Sequence, residues 1–326
     1  MRGKPFGFLW WIGLTFGVMG TMAVQAQSAF PVKTVRVVVP FSAGGGTDLI
    51  GRTLAQKLST VWGQTVLVDN RAGGGTLMGT DLVAKSAPDG HTLLLTANPH
   101  TTNPALHAKL PYDTVRDFSG ITQIAAAPMV LCVHPLLPAR SVVDLIAIAK
   151  KQPGQLSYGT SGNGGPQHLA GELFKLMAQV QLIHVPYKGS APAIIDVMAG
   201  QIQLTFGSTF TVLPQIHAGK LRALAVTSAK RSAAMPQLPS LSQSGLTGYE
   251  AITWYGVLAP SSTPAPVVVK LNADWVQVIK LPEVGERLAQ DGSEAVGSDP
   301  ASFDAMIKNE IEKARRIVKV SGMRLD

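Results

Sequence analysis

The stretch PFSAGGGTD, residues 40–48, indicates the fold through the segments on either side of it. It follows the β-branched run Val35–Val39 and precedes a helical pattern that begins near Leu49. A strand, a glycine-rich turn and a helix in this order are typical of α/β proteins that hold an anion against backbone N–H groups. The sequence therefore predicts an α/β fold with an anion site at this turn.

The N-terminal segment has the pattern of a secretory signal. Arg2 and Lys4 precede an apolar stretch over residues 6–22, and small residues around Ala26 suit a signal peptidase. An uncleaved membrane anchor is the alternative, but the stretch is shorter than the roughly 20 residues of a span and is interrupted by glycines. We expect residues 1–26 to be removed and the rest to be exported as a soluble protein.

Length and composition narrow the class of protein. About 300 residues would remain after cleavage, more than the roughly 250 that one hydrophobic core usually serves, so two lobes are expected. The chain has 28 basic and 20 acidic residues, and this excess of positive charge indicates a mild preference for anionic ligands. The basic residues form no run, so nucleic-acid binding is not expected. Cys132 is the only cysteine and lies in an apolar run, so a disulfide within the chain and a cysteine-based metal site are excluded.

Strands and helices alternate along the chain. The first part predicts a βαβαβ unit with a parallel sheet. Its strands are at Val35–Val39, 65–68 and 92–96, and its helices are at 49–58 and 78–85.

The same alternation then repeats and ends in a helical tail. A second α/β unit is predicted from strands at 129–134, 156–159, 202–206 and 223–227 and helices at 141–151, 167–178, 191–198 and 212–217. A strand at 251–258 and helices at Ala265–Ile279, 282–291 and 300–320 follow.

The helical tail is most simply packed back onto the first unit. The chain then crosses between lobes twice, near Ala127 and Thr253, which makes a two-strand hinge. We expect lobe 1 to comprise residues 27–127 plus 254–326, and lobe 2 to comprise residues 128–253.

Nucleotide-binding motifs do not fit the opening loop. Gly44 and Gly46 match the first pair of the G-x-G-x-x-G fingerprint, but Leu49 takes the place of its third glycine. Residues 46–53 read GTDLIGRT, one position away from a phosphate loop, yet Arg52 replaces the lysine that would reach the terminal phosphates. No nucleotide cofactor is expected.

Glycine-rich turns recur before two further helical patterns. Residues 70–76 read NRAGGGT and residues 158–168 read YGTSGNGGPQH. Three such turns predict sets of free backbone donors that face one crevice, an arrangement that suits a carboxylate. The alternative is that the glycines only permit tight turns with positive φ, and for residues 73–75 both interpretations stand equal.

Candidate catalytic groups form no motif. Ser161, His168 and Asp196 could be imagined as a hydrolytic triad, but Asn163 stands where the G-x-S-x-G elbow requires its last glycine. The seven histidines include no H-E-x-x-H motif, so no metal site is expected.

Three polar residues near the turns have open roles. His168 could contact a ligand or pack against its loop. Lys188 could attract an anion or be a solvated turn residue. Asp48 could bind a ligand amine, but a helix-start residue that accepts local N–H bonds is the favoured interpretation.

Several motifs together resemble the Bug family of periplasmic solute-binding proteins, the receptors of tripartite tricarboxylate transporters. They are PFSAGGGTD, NRAGGGT, APDGHTLLL, LPYDTVRDF, YGTSGNGGPQHLAGELF, HVPYKGSAPA, GKLRALAVTSAKR and WYGVLAPSSTPAPVV, and they span essentially the whole chain after the signal. The resemblance implies a type II periplasmic-binding-protein fold with two α/β lobes, closure on a small ligand, and no catalytic activity. It also implies a periplasmic location.

The resemblance further implies that a ligand carboxylate lies between the loops at 41–48 and 160–165. Backbone N–H groups, hydroxyls and bridging waters would hold it without an arginine clamp. By position in the motifs, the expected site residues are Phe41, Ala43, Gly44 and Asp48 on one side and Ser161, Asn163, Gly164 and His168 on the other, with Thr101, Lys188, Gly207 and Ser208 as further candidates.

One departure from the family pattern bears on the ligand. Many relatives resemble F-D-N where this chain has Phe206, Gly207 and Ser208, so an acidic side chain at the crevice is missing. We therefore expect a plain organic acid, such as a dicarboxylate, to be preferred over an amino acid.

Three functions are compatible with these features, in decreasing order. The first is a receptor, expected to be a monomer, that delivers a small organic acid to membrane transporter subunits. The second is a solute sensor that signals through a membrane protein, and the third is an exported hydrolase.

Overall fold

The computed structural model describes residues 1, 3, 30–187, 189–232, 235–290 and 292–322. The predicted signal lies almost wholly outside these residues, so its cleavage stays a prediction. All elements described below belong to one compact unit that begins at Pro31. Within the described ranges, no helix combines the length and the apolar character needed to cross a membrane.

The described chain forms a ten-stranded mixed sheet flanked by helices. The strands are β1 (Val35–Val39), β2 (Val66–Asn70), β3 (Thr92–Ala97), β4 (Phe118–Val133), β5 (Ser157–Thr160), β6 (Ile183–Pro186), β7 (Leu204–Ser208), β8 (Arg222–Val226), β9 (Ile252–Pro260) and β10 (Glu294–Ala295). The α-helices are α1 (Gly46–Trp62), α2 (Leu77–Ala84), α3 (Pro99–Leu106), α4 (Val142–Lys151), α5 (Pro166–Ala178), α6 (Ser190–Met198), α7 (Thr209–His217), α8 (Ala265–Ile279), α9 (Pro282–Gln290) and α10 (Pro300–Ser321).

The strand order β2-β1-β3-β9-β4-β7-β5-β6 contains two sets of parallel strands. β1 pairs in parallel with β2 and β3, and β5 pairs in parallel with β6 and β7. The long strand β4 joins the two sets: its residues up to Pro128 pair with β9, and its residues from Met129 onward pair with β7 and β8. The predicted parallel sheet of the first unit is confirmed.

The carboxyl ends of both parallel sets point toward the same stretch of β4. The end of β3 at Ala97 pairs with Tyr255 of β9, which pairs in turn with Ala125 of β4. The end of β7 at Ser208 pairs with Met129 of β4. Four residues of extended strand span about 13 Å, so the two sets of loops lie close together. Ligands of open α/β sheets bind outside the carboxyl ends of strands.

Two predicted helices begin at capping residues, and the helical tail packs onto the first unit. Ser141 and Asp144 form a reciprocal capping box at the start of α4, and Asp299 caps α10 ahead of Pro300. Phe303 and Ile307 of α10 pack with Val38 and Leu94, as expected for a tail that folds back onto the first unit.

The sequence did not predict α3, β6, β10 or the first half of β4. The helix α3 reads PHTTNPAL and lacks an apolar stripe, and the short strand β6 is only four residues long. The first half of β4, which reads FSGITQIAAAP, carries alanines and a proline that are poor strand signals. Burial between β9 and the helices stabilises this segment instead.

Candidate functional site

The first loop, residues 40–45, is held by a side chain of the helix that follows it. Gly44 has φ +82°, and its N–H donates to Asp48 Oδ2 at 2.8 Å. Arg52 Nε donates to the same oxygen at 3.0 Å. Burial would raise the pKa of Asp48, but the hydrogen bonds from Arg52 and Gly44 outweigh it and lower that pKa below 3.8. Asp48 is therefore an ionised helix-start residue, which is the favoured prediction.

The N-terminus of α1 presents backbone donors beyond this loop. Its first i→i−4 hydrogen bond runs from Leu49 N–H to the Gly45 carbonyl at 3.0 Å, so the amides of residues 46–48 precede it. The Tyr255 hydroxyl from β9 approaches the same end, 3.4 Å from the point where a Cβ on Gly46 would stand. This tyrosine was not among the predicted site residues.

The second loop, residues 160–165, is held in the same way. Gly164 has φ +71°, and its N–H donates to His168 Nδ1 at 3.1 Å. The Ser161 N–H donates to Gln167 Oε1 at 2.6 Å, and Gln167 Nε2 reaches Ser190 Oγ at 3.2 Å. The side chain of Gln167 thus ties the second loop to the start of α6.

The first and second loops, the twin loops, have nearly the same backbone conformation. Residues 43–53 read AGGGTDLIGRT and residues 163–173 read NGGPQHLAGEL, with glycines in the second, third and ninth positions of both. The N-cap residues Gly45 and Gly165 have φ/ψ of −80/167° and −74/170°. In each case the glycine before the N-cap donates its N–H to a side chain four residues later.

The imidazole of His168 is enclosed on several sides. It stacks on His184 with ring centroids 3.7 Å apart, and His184 Nε2 lies 2.7 Å from Thr160 Oγ1. Burial is the main cause that lowers the pKa of His168 to about 3, and the neighbouring His184 and Lys175 act in the same direction. Because Nδ1 accepts from Gly164, the ring is neutral and carries its proton on Nε2. Of its two predicted roles, the structure shows packing against the loop.

A buried carboxylate lies one turn further along α5. Glu172 is 5% exposed, and its Oε1 lies 3.8 Å from His168 Nε2. Tyr158 donates its hydroxyl to Glu172 at 2.6 Å, and Lys175 Nζ approaches at 2.8 Å. The hydrogen bonds from Tyr158 and Lys175 offset the free-energy cost of burying the Glu172 carboxylate.

The prediction that loop glycines donate to the ligand needs a correction. The N–H groups of Gly44 and Gly164 are already bonded to Asp48 and His168, and the N–H of Ser161 is bonded to Gln167. The glycines supply the positive φ that the loops require. The amides that follow, those of residues 46–48 in α1 and of residues 167 and 168 in α5, where Pro166 has no N–H, are the candidate donors for a ligand.

The other predicted residues of these loops are placed at or near the surface. Phe41 is half-buried, and its carbonyl accepts from Asn70 Nδ2 at 3.2 Å, a contact that sequence reasoning did not identify. Ala43 and Asn163 are exposed.

The further candidates differ from one another. Thr101 is buried, and its hydroxyl donates to the Asn98 carbonyl at 3.0 Å, so it shapes the start of α3. Ser208 Oγ lies 2.8 Å from Thr211 Oγ1 at the start of α7. A Cβ on Gly207 would lie 2.1 Å from Val212 Cγ1. Lys188 lies outside the described residues.

The third glycine-rich turn has the character of a tight turn. Gly73, Gly74 and Gly75 all have positive φ, at 141°, 56° and 63°. Asn103 donates to the Gly75 carbonyl at 3.0 Å, which fixes the turn against α3. The alternative interpretation, that these glycines permit a tight turn, therefore accounts for this segment.

The imagined hydrolytic triad is not assembled. His168 is engaged by the Gly164 amide through Nδ1 and faces Glu172 with Nε2. Asp196 accepts from the Tyr187 hydroxyl at 2.6 Å instead of orienting a histidine. Ser161 therefore has no general base within this set.

The family described as tripartite tricarboxylate transporter family receptor matches residues 50–323. A UPF0065 protein of Pseudomonas sp. strain P51, from the tcbD-tcbE intergenic region, is 39% identical over 303 residues, with 92% of this chain and 90% of the relative covered. Protein BugT of Bordetella pertussis is 34% identical over 316 residues, with 96% and 97% covered.

Three solved structures are similar over most of the chain. The R. palustris protein Rpa4515 with adipate has a TM-score of 0.76 at 36% identity, covering 91% of this chain and 100% of that one. The periplasmic binding protein BugD has a TM-score of 0.73 at 34% identity, with 90% and 100% covered. MatC from Rhodopseudomonas palustris with bound malate has a TM-score of 0.72 at 28% identity, with 89% and 100% covered. The predicted periplasmic-binding-protein fold is thereby confirmed.

Proposed function

The chain belongs to the tripartite tricarboxylate transporter receptor family, and from this premise we propose that it captures a small dicarboxylate or related organic acid for a membrane transporter. Members of this family are periplasmic solute-binding receptors and not enzymes, so the chain is itself a solute-binding receptor. The ligand class and the transporter partner are the finer parts of the proposal.

One observation carries the ligand class. Two helix N-termini, those of α1 and α5, follow twin loops at the facing carboxyl ends of two parallel strand sets. Their first-turn amides are uncharged donors, and the helix dipoles favour negative charge at these ends. A carboxylate can satisfy several such donors at once, directly or through water.

The solved neighbours support the same class of ligand. Adipate is bound by Rpa4515 and malate by MatC, and both are small dicarboxylates. The excess of basic over acidic residues in this chain adds a weak long-range attraction for such anions.

The surroundings of Gly207 support a preference for organic acids over amino acids. A side chain at this position would meet Val212 Cγ1 at 2.1 Å, so an acidic residue cannot be placed here without moving that valine. A ligand ammonium would then lack a carboxylate partner at this point of the strand end. Burying an ammonium without a partner is costly.

We further propose that the ligand is enclosed by two lobes, residues 27–127 plus 254–326 and residues 128–253. One apolar cluster contains Leu106 of α3, Leu169 of α5 and Ile317 of α10. It connects the two proposed lobes at a place separate from the strands that cross between them. Ligand contacts divided between lobes favour the closed arrangement only through their differential affinity for it.

Calorimetric titration tests the ligand class. Adipate, malate and succinate are compared with aspartate and glutamate at equal ionic strength. We expect at least about tenfold tighter binding of a dicarboxylate than of either amino acid, since an unpaired ammonium is penalised. Tight amino-acid binding with no response to the dicarboxylates would contradict the proposal.

The transporter partner needs a separate measurement. Uptake of the bound acid is compared in cells that contain the membrane subunits with and without this receptor. Uptake that does not depend on the receptor, despite tight binding of the acid, would favour a sensor role.

A further inference from the structure

The amino ends of the strands in residues 128–253 form a surface at the opposite end of the sheet from the candidate site. β5, β6 and β7 are parallel, and β4 is antiparallel to β7 and β8, so the end of β4 lies beside the beginnings of the other strands. The His134 N–H donates to the Gln203 carbonyl at 2.9 Å, and the Gly154 N–H donates to the Gln181 carbonyl at 3.1 Å. This distal surface comprises residues 134–140, 152–156, 179–182, 199–203 and 217–221.

The charge of the chain is distributed unevenly between the two proposed lobes. Residues 128–253 contain nine basic and four acidic residues, whereas residues 27–127 and 254–326 together contain 17 basic and 16 acidic residues. The loops of the distal surface contain no aspartate or glutamate. Five basic residues lie in these loops or directly beside them, namely Arg140, Lys150, Lys151, Lys220 and Arg222.

Four of these basic side chains are exposed: Arg140, Lys150, Lys151 and Lys220. Among the residues that the structure describes, none of the four forms a side-chain hydrogen bond or an ion pair. The carboxylate of Asp144 lies near Arg140 and offsets part of its charge, but it accepts from backbone N–H groups of residues 140 and 141. The distal surface therefore presents cations that have no acidic partner of their own, apart from this one carboxylate.

Exposed apolar side chains lie among these cations. Leu136 is 86% exposed, and Val143 in the first turn of α4 is 63% exposed. The loop that carries Leu136 is fixed, because Arg222 Nη1 donates to the carbonyls of Leu137 and Ala139 at 3.0 and 3.1 Å. Apolar side chains beside basic ones suit the boundary between the headgroups and the acyl chains of a membrane.

The corresponding end of the first proposed lobe has a different charge pattern. Lys33, which precedes β1, pairs with Asp89 at 2.9 Å, and Arg116, which precedes β4, pairs with Asp117 at 3.2 Å. These basic side chains are neutralised by neighbours within the same end of the sheet. An anionic surface would therefore be attracted to the distal surface and not to this end of the first lobe.

We propose that the distal surface binds the anionic phospholipid surface of a membrane. Each basic side chain near such a surface strengthens membrane partitioning about fivefold. The cations lie on separate loops and do not converge on one pocket, which suits an extended negative surface better than a single acidic side chain. Because the candidate site lies at the other ends of the strands, a receptor bound in this way keeps its crevice open to solvent.

Cosedimentation with lipid vesicles tests the proposal. The chain from residue 27 onward is used, because the apolar stretch over residues 6–22 would itself bind lipid. Vesicles of phosphatidylcholine alone are compared with vesicles of equal parts phosphatidylcholine and phosphatidylglycerol, without any organic acid. We expect binding to the anionic vesicles only, and we expect it to weaken as salt is added.

A triple variant removes the exposed charge of the distal surface. Arg140→Gln, Lys151→Gln and Lys220→Gln together should weaken binding to the anionic vesicles at least about thirtyfold, because three attractions to the lipid phosphates are lost. Leu136→Ser alone should weaken it about threefold, because an apolar contact with the bilayer is lost.

A matched triple variant controls for net charge. Lys109→Gln, Lys280→Gln and Lys308→Gln remove three exposed charges from the first proposed lobe. This variant has the same net charge as the distal one and should weaken vesicle binding less than about threefold. Circular dichroism of both variants should match the wild type, since all six side chains are exposed.

Three results would overturn the proposal. They are no binding of the wild type to the anionic vesicles, equal binding to both kinds of vesicle, and equal weakening by the two triple variants. Binding only to native membranes, lost after the membranes are treated with protease, would also overturn it, because the partner would then be a protein. A wild type that binds anionic vesicles but no dicarboxylate would count against the proposed ligand class alone.

Discussion

The first and second loops have the same backbone and different supports. Both place a glycine of positive φ before an extended N-cap glycine, and both bind the amide of that first glycine with the side chain four residues later. One acceptor is the carboxylate of Asp48, which is also paired with the exposed Arg52. The other is the neutral ring of His168, which lies in a buried cluster. The comparison shows that loop shape and local charge are set by different residues.

The helices behind the loops also differ in how tightly they pack. A Cβ on Gly171 of α5 would lie 2.2 Å from Cε2 of Tyr158, a fully buried ring that is fixed by Glu172. A Cβ on Gly51, the equivalent residue of α1, would lie 2.7 Å from a terminal methyl of Leu95. A leucine methyl can move more easily than a hydrogen-bonded tyrosine ring.

The largest predicted effect follows from this contrast in packing. Gly171→Ala should lower the free energy of unfolding by about 3 kcal/mol, whereas the matched Gly51→Ala should lower it by about 1 kcal/mol. Urea denaturation followed by circular dichroism measures both. Equal losses would show that the α5 packing around Tyr158 relaxes as readily as the α1 packing around Leu95.

The second prediction concerns pH. The pKa of His168 falls from 6.5 to about 3 on folding, so its stabilising contribution is complete above pH 6.5 and is lost progressively toward pH 3. The pKa of Asp48 is lowered from 3.8, so its contribution is lost only below that pH. His168→Asn should therefore flatten the fall in stability below pH 6.5, by at most about 1.4 kcal/mol per pH unit.

Urea denaturation between pH 4.5 and 7.5 gives this slope. Asp48→Asn serves as the contrast, because it should leave the slope in this window as in the wild type. His100, whose pKa burial lowers to about 4, contributes to the slope of every variant and cancels in the comparison. A slope that is the same in wild type and His168→Asn would contradict a neutral, buried His168.

The smallest predicted effect tests the positive φ of the first loop. Gly44→Ala should cost about 1 kcal/mol of stability, because an alanine is strained at φ +82° although no atom lies within 4 Å of its Cβ. Gly45→Ala, at φ −80°, should cost less than half as much. The unfolding temperatures of the two variants separate the cost of backbone strain from the cost of adding a methyl group. Equal shifts in unfolding temperature would contradict the role assigned to the positive φ of Gly44.

Much of the fold could be predicted from local patterns. The bounds of β1 and α8 match the structure, since each has a strong signal at both ends: β-branched residues before a proline for β1, and an apolar helix after Pro264 for α8. The unpredicted α3, β6 and first half of β4 have weak propensity and are stabilised by their neighbours in the sheet and by burial.

The sequence also located the two loops that carry the candidate site. It could not identify Tyr255 as a neighbour of the start of α1, or Gln167 and His184 as supports of the second loop, because those contacts join segments far apart in the chain or depend on side-chain direction. Nor could it show that the Gly44 and Gly164 amides are occupied. That follows from the helix geometry, which brings a side chain four residues later onto the loop.

By itself, therefore, the amino-acid sequence determined the α/β alternation, the positions of the glycine-rich turns and the membership of the family, because hydrophobic period and turn chemistry are local properties. Only the tertiary structure decided which loop amides are occupied by side chains and which side chains hold each loop. Those features depend on how β4 and β9 bring two distant loops to one place, and on the charge of the side chain that each loop amide meets there.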